Sequence, residues 1–402
     1  MATNIERAPD VDRAAIEQLV KSEPDWLGDL RRAAFTRYEE LPQPDATTPG
    51  WRRLSLEGID LRAPRPAPIV FTTQVSAADR ERGLVVCSLA DAARSHEGDV
   101  RQALSIEHKG KSVGRYAAIA EAAWQDGVFV YAPAHFVAQE PVRIELSSGT
   151  YPRVMVLAGE GAQLTVAETH REQDPVSAGV VDLLCGAGAV VRYLHVQDCA
   201  RTAAAFSHQR AMLERDARLI TLNFGIGGRF ARTDVEVELR GPGAESDMLG
   251  LVFAEDRQQF DYRTLQGHRS PNTRSDLLFK AALDDQSHAS YTGVIVIDRG
   301  AQRSDAYQAN RNLLLKEGAR ADTEPMLEIE ADDVRCTHGA TVGPVDEEQL
   351  FYARSRGLEA DAAARLIVEG FFAEVFEKFG NPAVTDSLRS AVAPHLGRVG
   401  AV

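Results

Sequence analysis

The chain has 402 residues, enough for one to three domains and a large core. Its formal net charge of −14 and isoelectric point near 5.3 argue against a nucleic-acid partner, which needs basic patches. No apolar run reaches membrane-spanning length, the segment Met1-Ala2-Thr3-Asn4-Ile5-Glu6-Arg7 lacks a signal-peptide core, and four cysteines without a Cys-x-x-Cys pair suggest no disulfide framework. A cytoplasmic protein is expected.

Residues 11–41 read as helix. Ile16, Leu19 and Val20 form one apolar cluster, and Trp26, Leu27, Leu30, Ala33, Ala34 and Phe35 form a second at helical spacing. Ser22, ahead of Pro24, is the expected start of the second helix. A breaker-rich linker runs from Leu41 to Gly50, and Trp51 after it is expected to be a packing anchor. Short strand candidates lie at 68–75 and 84–88, and a helical region at 99–125. Within that region Gly110-Lys111-Ser112 is not a phosphate loop, because Ser105 stands where the pattern requires glycine.

From Val128 short β-rich segments replace helices. Small turn dipeptides recur: Gly161-Ala162, Gly188-Ala189, Asp216-Ala217, Gly243-Ala244, Asn272-Thr273 and Gly300-Ala301, at successive intervals of 27, 28, 27, 29 and 28; Gly318-Ala319 follows early, after 18. A period near 28 predicts a solenoid, whose stacked units bury an inner face that no single unit could bury. The apolar positions after the turns (Leu164 and Val166; Val190, Tyr193 and Leu194; Leu219 and Leu222; Leu249 and Leu251) are the candidates for that face. A β-sandwich with regular turns is the alternative. Asn223-Phe224-Gly225-Ile226-Gly227-Gly228 lacks the dinucleotide fingerprint, so its glycines read as turn residues. His170, His195, His208, His268 and His288 are scattered without a close ligand pair and read as surface or hydrogen-bonded residues, any one of which can still complete a site in space.

Cys336 and His338, two apart on a strand-like segment, point to one side. A thiolate and an imidazole there can hold iron, zinc or sulfide, although two ligands do not complete a site. A buried thiol beside a hydrogen-bonded imidazole is the plainer alternative. Asp346-Glu347-Glu348 suits the first turn of a short helix, and Asp361 is placed to cap the next. There Ile367, Phe371, Val375 and Phe379 recur every four residues, widened by Val368, Phe372 and Phe376, either as a core face or as a docking surface. A final helix at about 384–396 carries Val384, Leu388, Val392 and Leu396 on one face.

Several segments taken in order, namely Asn310-Arg311-Asn312-Leu313-Leu314-Leu315, Pro325-Met326-Leu327-Glu328-Ile329-Glu330, Cys336-Thr337-His338-Gly339-Ala340-Thr341-Val342-Gly343, Leu350-Phe351-Tyr352-Ala353-Arg354-Ser355-Arg356-Gly357 and the helix from Ala362 to Phe379, resemble the SufB/SufD family of iron–sulfur cluster assembly scaffolds. The resemblance spans residues 116 to 380 and is weak before them. Cys336 with His338-Gly339-Ala340 is similar to the SufD branch; SufB-like chains carry His-Glu-Ala-Thr here, and a cysteine that falls at Asn310. The resemblance implies a mainly β fold: a right-handed parallel β-helix over 128–344, with helical regions at 1–127 and 345–402. It further implies a non-catalytic subunit that pairs with a SufB-like paralogue and binds a SufC-like ABC-type ATPase through the C-terminal helices, where the stripe Ile367, Phe371, Val375 and Phe379 is the candidate dock. His338, with Cys336 less firmly, is the implied ligand of iron or a transient Fe–S cluster at the paralogue interface. A flavin in the complex and a homodimer of the isolated chain stay open. The rival classes are a purely structural adaptor and a β-helix carbohydrate-active enzyme.

Overall fold

The computed structural model describes residues 10–59, 61–104 and 114–396, without the side chains of 391–396. The Gly110-Lys111-Ser112 segment, Ser105, the first seven residues and the side chains of Val392 and Leu396 therefore lie outside the described residues.

Helix α1 (Arg13–Val20) is capped by Asp12, whose carboxylate accepts from the Ala15 amide at 2.7 Å. Helix α2 (Asp25–Glu40) starts after Pro24 rather than at Ser22; the extended proline occupies the cap position and offers no side-chain acceptor. Strand β1 (Val70–Gln74), helix α3 (Ala77–Glu81), strand β2 (Val85–Ser88) and helices α4 (Leu89–Ser95), α5 (Glu97–Leu104) and α6 (Arg115–Ala123) complete this region. Trp51 is an anchor as expected, stacked on Phe230 with the Arg232 guanidinium over its ring.

A solenoid follows. One parallel sheet stacks β4 (Val142–Ser148), β6 (Gln163–His170), β8 (Val190–Gln197), β10 (Arg218–Gly225), β12 (Glu245–Ala254), β14 (Arg274–Leu283), β16 (Asp305–Leu314) and β18 (Arg335–Pro344). The other stacks β3 (Gly127–Ala132), β5 (Arg153–Ala158), β7 (Val176–Cys185), β9 (Ala204–Leu213), β11 (Phe230–Leu239), β13 (Gln259–His268), β15 (His288–Ile297) and β17 (Arg320–Ile329). The two sheets face one another across a lumen, so the sandwich alternative shares the layers but not the parallel ladders. At the first end β1 and β2 pair antiparallel to β4 and β3, closing both sheet edges. At the far end, among the described residues, no strand follows β17 or β18 in its sheet.

The repeat has a steric cause. Gly161, Gly188, Asp216, Gly243 and Asn272 turn the chain with φ between 56° and 75°, and the next residue (Ala162, Ala189, Ala217, Ala244 or Thr273) puts a small, fully buried side chain into the corner. At the sixth corner the left-handed residue is Arg303, not Gly300, although Ala301 is still buried. Gly318 arrives early because it lies between β16 and β17, on the opposite edge of the solenoid from the other six.

The strands are buried on both faces, which is why apolar periodicity alone misassigns some of them. Leu164, Val166, Tyr193 and Leu219 line the lumen. Leu194, Leu222, Leu249 and Leu251 instead point outward into a second cluster under the C-terminal helices. Gly225 is a lumen strand residue rather than a turn glycine; a Cβ there would meet Tyr262 Oη at 2.7 Å.

The C-terminal region is α7 (Glu347–Ser355), α8 (Ala360–Phe379) and α9 (Pro382–Leu396). Asp346 caps α7 by accepting from the Glu348 and Gln349 amides. Asp361 does not cap α8; it sits in the first turn, two residues too late, and Glu359 holds the cap position. Gly380 ends α8 in the left-handed conformation. Among the described residues no helix is long and apolar enough to cross a membrane.

Candidate functional site

Side chains at alternate positions of each solenoid strand form rows that run the length of the lumen. One row is Leu164, Val191, Leu219, Ser246, Ser275, Ala306 and Cys336. The next is Val166, Tyr193, Thr221, Met248, Leu277, Gln308 and His338. Cys336 and His338 therefore project to the same side, as period two requires, and they are the last members of inward rows. Every earlier member of the His338 row is buried, but among the described residues no coil covers the last, so His338 is exposed and Cys336 half-buried.

The surroundings suit an incomplete polar site. Cys336 packs against a small cluster of Ile295, Ile297, Ala301, Ala306 and Ala331. Burial, and then the nearby Asp305 charge, push its thiol pKa up, so the free chain holds a protonated thiol rather than a thiolate. Beneath His338, Gln308 is fully buried with neither amide atom hydrogen-bonded. Among the described residues no third cysteine, histidine or carboxylate converges on Cys336 and His338. Around them the last coil exposes Met326, Leu327, Ile329 and Val342, each more than a third accessible. Among the described residues, these two parallel sheet edges are unpaired and present apolar and ligand-type side chains in one patch.

The aromatic stripe of α8 is not free. Val375 and Phe379 are fully buried and Phe371 is partly covered, because Val368, Phe372, Val375, Phe376 and Phe379 pack on the outer face of the sheet with Leu194, Leu222, Leu249 and Leu251; Ile367 is half-buried. Burying each such side chain contributes roughly 1.5–3 kcal/mol. Lys280 reinforces the seam, donating from Nζ to the Phe371 carbonyl at 2.7 Å and to Glu374 at 2.6 Å. The accessible apolar residues of this region are instead Phe351 (75% exposed), Tyr352 (60%), Leu366 (54%) and Leu358 (37%).

A second group of ligand-type side chains was not visible from spacing. His170 and His195, 25 positions apart, lie on adjacent strands with ring centroids 4.8 Å apart, together with Glu168. The coil repeat here pairs His170 with Gln197, and a two-residue offset from that pairing joins them: His170 and His195 occupy neighbouring inward rows one coil apart.

The SufBD core domain of SUF system FeS cluster assembly matches residues 142–371, more than half of the chain. The chain is 32% identical over 295 residues to an iron–sulfur cluster assembly SufBD family protein of Mycobacterium leprae, covering 70% of this chain and 75% of that protein. A homologous SufBD family protein of Mycobacterium tuberculosis is 32% identical over 300 residues, 71% of this chain and 75% of that one. The iron–sulfur cluster assembly protein SufD of Escherichia coli is 33% identical over 191 residues, covering 48% of this chain and 45% of SufD. With a parallel solenoid, helical flanks and these matches, the chain belongs to the SufBD family of iron–sulfur cluster assembly proteins.

Proposed function

We propose that this chain is a SufD-type, non-catalytic scaffold subunit of a cytoplasmic SUF complex. The observation that carries this reading is the far end of the solenoid, where the two inward rows emerge as Cys336 and His338 without a cap or a third ligand among the described residues. A SufB-type paralogue docks there, extending the sheets and supplying thiolate or carboxylate ligands. Iron or a nascent Fe–S cluster is the cargo, bound through the neutral imidazole of His338. Cys336 stays protonated in the free chain and becomes a ligand only when a cation lowers its pKa. An ABC-type ATPase docks on the C-terminal helices through Phe351, Tyr352, Leu358 and Leu366, the apolar side chains that this chain leaves uncovered.

The test is anaerobic co-purification with a SufB-type and a SufC-type partner, with iron and acid-labile sulfide assayed for the native chain and for His338→Ala. The expected result is an intact complex in both cases, with iron and sulfide greatly depleted only in the variant. Equal cluster content would make this subunit a structural adaptor, and failure to form any complex would remove the pairing itself.

A further inference from the structure

The closed half of the lumen holds a cluster that the assembly reading does not use. Glu168 and His170 on β6 and His195 on β8 all face inward, and each is nine-tenths or more buried. His170 bonds a carboxylate on each side, Glu172 Oε1 at 2.7 Å from Nδ1 and Glu168 Oε1 at 2.5 Å from Nε2. Tyr193 Oη donates to the other oxygen of Glu168, and Cys199 Sγ donates to Glu172 Oε2 at 3.4 Å.

Charge distinguishes this cluster from other buried carboxylates of the chain. Asp182 takes Arg153 and Arg210, Asp261 takes Arg232 and Arg263, and Glu238 takes Arg240 and Arg269. Among the described residues Glu168 and Glu172 have no arginine or lysine partner; imidazole, phenol and thiol are their side-chain partners. The charge facing these two buried carboxylates is the imidazole of His170 between them, whose proton can be exchanged for a metal ion as a guanidinium cannot. A further sign is Gln197, the ladder neighbour of His170, which is 4% exposed and, among the described residues, has no side-chain partner beyond the Cys199 thiol.

We propose that Glu168, His170 and His195 form a buried site for one divalent transition-metal ion of the zinc or iron(II) class. One ligand atom from each of the three lies within 4.8 Å of the others. Ligand bonds of about 2.0–2.2 Å put tetrahedral donors about 3.4 Å apart, so closure asks for a shift of about an ångström. Two imidazoles and one carboxylate are the donor set such ions take. His170 binds through Nε2 while Glu172 accepts from Nδ1–H, the arrangement that fixes a ligand imidazole's tautomer. Loading exchanges any proton on Nε2 for the dication, and the ion with Glu168 and Glu172 is then electrically neutral. The ion ties the first complete coils together and does not depend on what docks at the open end.

The test uses the full chain carrying Cys336→Ser and His338→Ala, so that the exposed pair cannot answer. Co²⁺ is the probe, added to the chelator-treated chain and, because the site is closed, also present while the chain refolds from urea. The expected result is one Co²⁺ per chain with the visible absorption of a four- or five-coordinate nitrogen and oxygen site, displaced by Zn²⁺. The thermal midpoint rises with ion concentration. His195→Asn and Glu168→Gln each weaken binding at least tenfold, and Glu172→Gln, a positioning change, weakens it about 10- to 100-fold. If no Co²⁺ is retained by either route, or if its spectrum is that of the hydrated ion, the proposal fails. That parent measurement decides the matter even if the variants do not fold. Binding unchanged in folded His195→Asn and Glu168→Gln also overturns it.

Discussion

The two ends of the lumen carry side chains from neighbouring inward rows and behave as opposites. At the first end, β1 and β2 turn antiparallel across the sheet edges, and the polar residues nearby (Glu168, His170 and His195) are buried and bonded to one another. At the far end the sheets stop at β17 and β18 with no cap among the described residues, leaving Cys336 half-buried and His338 exposed. Residue type does not separate these ends, since both offer histidine beside a second ligand. What differs is whether another coil follows. The solenoid thus converts a position in a row into either a closed internal site or half of an intermolecular one.

The largest contrast to test lies within a single row. Leu277, Gln308 and His338 are successive members, of which Leu277 is fully buried and His338 exposed. Leu277→Ala should destabilise the free chain by about 2–5 kcal/mol, since it opens a cavity in a closed lumen. His338→Ala should stay within about ±0.5 kcal/mol, because it removes a side chain that packs on nothing above it. Urea denaturation of the two variants measures both. A His338→Ala loss as large as that of Leu277→Ala would show that the free chain already closes its far end.

A histidine in the closed part sharpens the contrast through pH. His268 faces the lumen, bonded to Thr273 Oγ1 at 2.7 Å and Ser275 Oγ at 2.8 Å, and burial, with Arg269 nearby, pushes its pKa down to about 4. Its folded pKa lies below the unfolded value of about 6.5, so the unfolded state binds the proton more tightly. This site therefore favours folding less as pH falls through about 6.5, and the loss levels off below about 4, at on the order of 3 kcal/mol. The native chain should lose stability over that window, and His268→Asn should flatten the profile there. An unchanged slope in the variant would place the acid sensitivity elsewhere.

Much of this was legible in the chain. The 28-residue period exposes the solenoid because each corner needs a left-handed residue followed by a small inward one, a demand that Gly161-Ala162 and Gly243-Ala244 meet in plain sight. Cys336 and His338 could be placed on one side because period two needs no knowledge of the partner strand. The facing of Leu194 and Leu249 was hidden, since strands covered on both sides show apolar residues at both parities. The α8 stripe misled for a related reason: Phe371, Val375 and Phe379 have the same spacing whether they pack on their own sheet or on a partner. The pairing of His170 with His195 needed the register between coils, which the turn spacing gives only to within a residue or two, and a one-residue slip would put one of them outside.

The smallest expected effect is chemical and concerns the four thiols. Cys185 and Cys199 are buried, with the Cys185 thiol pushed up to about 12 by burial and the Cys199 thiol raised by burial and by Glu172. Cys336 and Cys87 are only half-buried. In a Cys87→Ser chain, iodoacetamide should therefore modify Cys336 alone under native conditions, with Cys185 and Cys199 reacting only after unfolding. Because burial and Asp305 also hold the Cys336 thiol above its ordinary value, the rate should still be climbing at about pH 9. A plateau below about pH 8 would mean that the thiolate is already present in the free chain. The open end would then be an activated sulfur site that needs no partner to ionise it. A rate that climbs with pH and is abolished by a SufB-type partner would instead show that docking covers the half-buried Cys336 thiol.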